Sequence, residues 1–243
     1  MIGYRFIYTM KKHLILFLFI ILSGTAYSAE IIIPGIVIDR EKLLAYELQI
    51  FEQTLSSDDF TNHKRIVGIL LIDAQPKEVW QVLKDWKLMG ELVSEVEYYK
   101  IIAELKPIKK DLIGQSFIEC SVSIPLFDFY YTLDVLFDES RFRQDWRLIK
   151  PEEVRIYNMI GIKVKEPTDT IHNIEGFMIA EPFQNGRKTI YKFTSTVKFS
   201  TVLPKFVENY MIEKALTEHM EGIKKRVESH GLYVPPKFFD LPF

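Results

Sequence analysis

Recognisable catalytic signatures are absent from this sequence. It holds no Gly-x-Ser-x-Gly elbow, no His-Glu-x-x-His pair, no Gly-x-x-x-x-Gly-Lys-Ser/Thr loop and no Cys-x-x-Cys pair. Elbow-type hydrolysis, zincin chemistry, P-loop nucleotide binding and dithiol redox chemistry are therefore excluded in those forms. One cysteine, Cys120, leaves no partner for an intramolecular disulfide. In Phe117–Pro125 it alternates with Val122 and Ile124, so it reads as a small buried hydrophobe and not as a reactive thiol. Lys/Arg clusters are never longer than a triplet and the formal charge is −2, a poor match to nucleic acid. Internal repeats, low-complexity tracts and Gly/Ser linkers are also missing, which favours one domain.

What the chain does have begins at the N-terminus. Lys11, Lys12 and His13 precede the unbroken apolar run Leu14–Leu22, and small residues follow over Ser23–Ala29. This is the three-part layout of a secretory signal peptide, cut near Ser28-Ala29, and the apolar run is shorter than the ~20 residues of a membrane span. Met10 is an alternative start. Cleavage would take Arg5, Lys11 and Lys12 away and bring the charge to −5. The expectation is a periplasmic or secreted protein, with residues 1–28 as leader and 29–64 as an N-terminal extension containing a helix and an ambiguous strand. A main domain over 65–230 and an aromatic tail over 231–243 follow.

Within the main domain, Arg65–Asp73 is β-branched and apolar, a core strand. Pro76 opens a short helix carrying Trp80, and a second short helix follows over 87–93. The helix would close one end of an apolar interior, with Trp80 wedged in the core and Trp86, at its end, mattering less. Strands are then predicted over 96–102, 115–124, 129–137, 143–149, 171–180 and 189–199. In the third of these Phe129, Tyr131, Leu133, Val135 and Phe137 alternate with Asp128, Tyr130, Thr132 and Asp134, the mark of a half-buried antiparallel strand. Asn185-Gly186 is a hairpin turn signal. Residues 151–170 form a long connection, read as carrying its own helix or strand over the cavity mouth. The final helix, from Pro204 to Val227, keeps Phe206, Val207, Tyr210, Met211, Leu216, Met220, Ile223 and Val227 at helical spacing. Strands segregated from one long helix indicate an α+β fold.

The motifs IDAQPKEVWQVLKDW (72–86), DWRLIK (145–150), EGFMIAEPFQNGRKTIYKF (175–193) and LPKFVENYMIEKALTEHMEGIKKRV (203–227) resemble, in order and spacing, the START-like or Bet v 1-like (SRPBCC) superfamily. The branch most similar is the polyketide cyclase/dehydrase and coenzyme Q-binding START group. Two departures are Leu92-Val93-Ser94, where relatives often carry proline, and the length of 151–170. The resemblance implies a helix-grip fold, with a curved antiparallel sheet of about seven strands around the long C-terminal helix and two short helices after the first core strand. It also implies a pocket between sheet and helix. The expected lining is Tyr131, Leu133, Trp146, Phe177, Tyr191 and Phe193 from the strands with Phe206, Tyr210 and Met211 from the helix.

Polar candidates are few. Arg147 shares a strand face with Arg143 and Asp145; it reads either as part of a solvated ion-pair row or as an anchor for a ligand headgroup. His172 and Glu175 fall on opposite strand faces, which argues against a metal pair or an acid–base couple. No catalytic residue, metal ligand or cofactor is expected. The favoured reading is an exported, non-enzymatic binding or transport protein for a lipid, quinone or similar hydrophobic molecule, with transient membrane contact. One alternative is an aromatase/cyclase-like enzyme orienting its substrate with Glu119, Arg147 or Tyr191. The other is a protein-interaction module, with Phe238, Phe239, Leu241 and Phe243 of the tail as a patch.

Overall fold

The computed structural model describes residues 33–55, 63–105, 113–124, 127–200 and 204–235. The leader and the aromatic end of the tail lie outside the described residues. Eight antiparallel strands form one sheet: β1 Gln49–Leu55, β2 His63–Ile72, β3 Val96–Leu105, β4 Gly114–Ile124, β5 Phe127–Asp138, β6 Arg143–Leu148, β7 Ile171–Phe183 and β8 Lys188–Phe199. Their spatial order is β1-β2-β8-β7-β6-β5-β4-β3. The curved α+β sheet with a C-terminal helix is as expected, with one strand more than the seven anticipated. The extra strand is β1, an ambiguous stretch in the sequence, which pairs along β2 from Gln49↔Ile69 to Leu55↔His63.

Local chemistry sets the helices. In α1 (Arg40–Leu44) the Asp39 carboxylate accepts from the backbone of Glu41 and Lys42. Helix α2 (Pro76–Leu83) starts with proline at its first turn, and Glu78 accepts from the Gln75 backbone at 2.9 Å. Asp85 caps α3 (Trp86–Glu91) by accepting from Leu88 at 3.0 Å. The long connection does carry a helix, α4 (Pro151–Met159), but not over the cavity mouth. Val154, Tyr157, Ile162 and Val164 pack on Phe117 and Ile149, against the outer face of the sheet. Asn158 binds both backbone groups of Val164 and folds the return segment onto the helix.

The C-terminal helix is one rod in three parts: α5 (Lys205–Tyr210), a π-helical turn (Met211–Ala215) and α6 (Leu216–Glu228). Val207 and Leu216 are nine residues apart, two and a half α-helical turns, which in a straight helix would put them on opposite sides. Both are buried in the same core. The wider winding of the π turn rotates α6 back toward the sheet.

Both faces of the central strands are covered, which is why β2 reads as a continuous apolar run. On the outer face Val67, Ile69, Leu71 and Ile190 lie beneath Ile33, Leu43 and neighbouring residues of the N-terminal extension. There Lys192 and Glu181 form a buried ion pair at 2.7 Å. The inner face carries the main core, with α2, α3 and the long helix packed on it.

Candidate functional site

The inner face divides into a fully buried half and a half whose residues are only partly buried. At the end covered by α2 and α6, Leu70, Ile72, Val79, Trp80, Leu83, Met220 and Ile223 have almost no accessible surface. A β-carbon placed on Gly68 would lie 2.1 Å from Met220 Sδ, so the thioether of Met220 packs directly on the Gly68 backbone. Toward the other end, Tyr131, Phe193, Val197, Phe199 and Phe127 pack against the same core yet stay only partly buried.

Register explains this composition. Cys120 sits opposite both Tyr99 on β3 and Tyr131 on β5, so the three share one inward row. The small Cys120 side chain lies between the two tyrosines of that row. Burial pushes the pKa of each phenol well above its ordinary value, so both are neutral. Next along the face, Trp146 packs on Phe193 with centroids 5.4 Å apart, and Phe193 packs on His219 at 5.0 Å. His219 Nε2 is 2.9 Å from the Tyr191 hydroxyl, deep inside. Burial lowers the imidazole pKa to about 4, so it is uncharged near neutral pH.

Of the expected lining residues, Tyr131, Leu133, Trp146, Tyr191 and Phe193 belong to the inner core, Leu133 and Tyr191 as buried floor and Tyr131 and Phe193 with accessible surface. Phe177 does not. It pairs with Thr194, one position out of phase with Phe193, and faces outward under the Arg143 guanidinium at 4.1 Å. Phe206 is also a correction: it is 59% exposed, because the π turn changes which helix positions meet the sheet. The side chains of Tyr210 and Met211 lie outside the described residues.

Arg147 is not an anchor inside the cavity. β6 alternates Gln144, Trp146 and Leu148 inward with Arg143, Asp145 and Arg147 outward. Its guanidinium binds Glu153 at 2.8 Å, Asp134 at 3.0 Å and the Tyr157 hydroxyl at 3.0 Å, tying α4 to the outer face. Glu119 shares that outer face, bonded to Tyr98 at 3.1 Å. Two of the three groups a cyclase-like reading would use therefore point away from the interior, and the third, Tyr191, is bonded to His219. His172 is exposed.

Sequence reasoning missed His219, Tyr99 and Gln144. His219 had a legible signal, since it falls three residues after Leu216 and four before Ile223 on the apolar stripe. Tyr99 did not: a register shift between Val96 and Tyr98 decides which of the two adjacent tyrosines faces in. Gln144 is buried and joins two elements, accepting from Trp86 Nε1 at 3.1 Å and donating to the Leu83 carbonyl at 2.6 Å. Elsewhere, a surface recess of about 500 Å³ opens between Tyr46, Asp73, Glu78, Lys224, Glu228 and His230. Its mixed charges set it apart from the apolar interior. Among the described residues no group of three or more His, Cys, Asp or Glu is placed to hold a metal ion.

No protein-family profile matches the chain, and no characterised protein matches it in sequence. Solved structures do. A protein of Thermus thermophilus superposes with a TM-score of 0.50 at 16% identity, over 68% of this chain and 98% of that one. The Zhui aromatase/cyclase of Streptomyces sp. R1128 gives 0.50 at 12% identity, over 70% and 98%. A START superfamily protein of Mycobacterium smegmatis gives 0.50 at 12%, over 69% and 99%. At these identities the likeness concerns backbone architecture, and it agrees with the strand order, the two short helices and the closing helix described above: the chain has the START-like helix-grip fold.

Proposed function

We propose that this protein is a non-enzymatic carrier of a hydrophobic small molecule, of lipid or quinone class, held between the partly buried end of the sheet and the start of the long helix. The observation that carries the reading is the set of aromatic residues, Phe127, Tyr131, Phe193 and Phe199, that pack against the inner core yet remain partly accessible. Burial contributes about 0.8 kcal/mol per methylene, so a chain of about twelve carbons gains roughly 10 kcal/mol gross. Association costs an estimated 4–15 kcal/mol, which leaves micromolar binding within reach without charged contacts. The same reading places the protein outside the cytoplasm after removal of residues 1–28, able to meet a membrane transiently when it loads or releases cargo.

Native mass spectrometry of freshly purified protein, with solvent extraction of the bound fraction, tests the binding. The expected result is a co-purifying apolar molecule, or micromolar uptake of a neutral fluorescent probe such as Nile red. Protein that is both ligand-free and unable to take up Nile red overturns the proposal. Export is tested separately: the mature N-terminus of the expressed full-length chain should be Ala29 or Glu30, and a protein retaining its leader in the cytosol refutes that part.

A further inference from the structure

We propose that the tip of α4, formed by Ile156, Met159 and Ile160 with the basic residues beside them, docks on an anionic lipid surface. The inference rests on the carrier function proposed above and names the face through which that carrier meets a membrane.

The first argument is a second apolar stripe on a short helix. Val154 and Tyr157 turn toward the sheet and pack with Phe117 and Ile149. Ile156, Met159 and Ile160 fall at i, i+3 and i+4, a separate stripe on another side of the same helix. They are 62%, 77% and 66% exposed. Gly161 follows directly, with φ +90° and no atom within 4 Å of a β-carbon placed on it, so the turn stands clear of the body. Three aliphatic side chains fall far short of the roughly 800 Å² per partner that a stable protein interface buries. A bilayer asks for less, because a few apolar side chains of a helix lying in its plane suffice for contact with the headgroup boundary.

The second argument is charge. The whole chain has a formal charge of −2, yet residues 154–165 hold Arg155, Lys163 and Lys165 and no acid. Asn158 binds both backbone groups of Val164 and so lays the return segment along the helix end. In that segment Ile162 and Val164 are buried, and Lys163 between them turns to solvent. Arg155 is exposed one turn before Met159, and Lys165 lies 4.9 Å over the Tyr130 ring. The flanking acids are Glu152 and Glu153 in the first helical turn and Glu166 beyond Lys165, and Glu153 is already bound to Arg147. Cations set beside exposed aliphatic side chains complement a layer of anionic headgroups over hydrocarbon.

Position supports the same occupant. From Tyr157, against Phe117, the connection runs back to Thr168, whose backbone donates to Tyr130, and to Thr170, whose carbonyl accepts from Ser200. Phe127 and Phe199 keep accessible surface at this end of the sheet. The connection that carries the tip therefore ends beside the proposed cargo site.

Flotation of the full-length protein with vesicles of phosphatidylcholine, alone or with about 30 mol% phosphatidylglycerol, tests this. The wild type should bind the anionic vesicles at least tenfold tighter than the neutral ones. Ile156→Ser/Met159→Ser/Ile160→Ser should weaken anionic binding at least tenfold, and Arg155→Gln/Lys163→Gln should reduce the anionic preference several-fold. Nile red affinity, measured without vesicles, should stay within about twofold in both variants, which also reports that they are folded. Hydrogen exchange over residues 154–165 locates the contact independently of residues 1–28, and it should slow on adding anionic vesicles. Exchange that does not change, or a triple variant that binds as the wild type does, overturns the docking and leaves the carrier function standing. A wild-type dimer that the triple variant splits, with vesicle binding unchanged, gives the tip to a second copy of the chain and also overturns it. Wild-type protein that cannot take up Nile red, but whose vesicle binding the triple variant loses, overturns the carrier function and leaves the docking face standing.

Discussion

The Tyr191 hydroxyl on β8 and His219 Nε2 on α6 meet at 2.9 Å in the interior, joining the centre of the sheet to the helix that covers it. Because burial holds His219 at about 4, the unfolded chain, near 6.5, takes up a proton first as pH falls. Stability is therefore intact above pH 6.5, declines between about 6.5 and 4, and levels off below that range, with a total loss of about 3 kcal/mol from this group. Urea unfolding across pH 4–7.5 measures it. His219→Gln should remove this component and flatten the profile relative to wild type. An unchanged slope in the variant would mean that His219 does not titrate in this way.

Trp80 and Trp86 should matter about equally. Trp80 has no accessible surface, packs near Phe142 and donates to Glu139 at 2.7 Å. Trp86, expected from its place at a helix end to matter less, is 6% exposed, packs edge-on against Tyr99 and donates to buried Gln144. Each change to alanine should cost about 3–5 kcal/mol, and loss of Trp86 also takes a donor from Gln144. Chemical denaturation decides it: a Trp86→Ala cost under about 1 kcal/mol would restore the ranking that position in the helix suggests.

The contrast shows what a sequence can and cannot convey here. Strand β5 was legible because its alternation has a period of two and one face is buried, and the β7–β8 hairpin because Asn185 and Gly186 both adopt the left-handed conformation that asparagine and glycine tolerate best. Pattern alone assigned Phe177 to the wrong face, since an aromatic residue signals burial without saying on which side, and here both sides of β7 are covered. The π turn, which decides how Val207, Leu216 and Phe206 sit, leaves no trace in a stripe read at 3.6 residues per turn. Residue types at the candidate site were readable; which of them converge depends on register shifts and on that turn.

Arg147 offers a check on the two-faced assignment. Glu153 raises its pKa by hydrogen bonding, and the guanidinium also serves Asp134 and Tyr157. Its side chain is 45% exposed, so solvent screening limits what the cluster contributes. Arg147→Ala should cost about 1 kcal/mol of stability, loosen α4 in hydrogen exchange, and leave Nile red affinity unchanged. A large loss of affinity without loss of stability would place the arginine at the ligand after all.

Two glycines on the inner face separate crowding that can relax from crowding that cannot. At Gly68 a new β-carbon meets the thioether end of Met220, which can swing aside. At Gly176 it would lie 2.2 Å from the Thr194 carbonyl oxygen and 2.6 Å from the Trp146 ring, so a neighbouring strand and a packed indole would both have to move. Overpacking of this kind costs about 1–3 kcal/mol and more where backbone must shift, against the gain of roughly 0.5–1 kcal/mol that replacing a strand glycine otherwise brings. Gly68→Ala should therefore fall within about 1 kcal/mol of wild type in urea unfolding, and Gly176→Ala should lose about 3 kcal/mol or more. Because Trp146 packs on Phe193, one of the residues assigned above to the proposed binding site, the second variant should also weaken Nile red binding, which the first should not. Equal effects would mean that Met220 cannot move aside and that the two crowded positions are equally rigid.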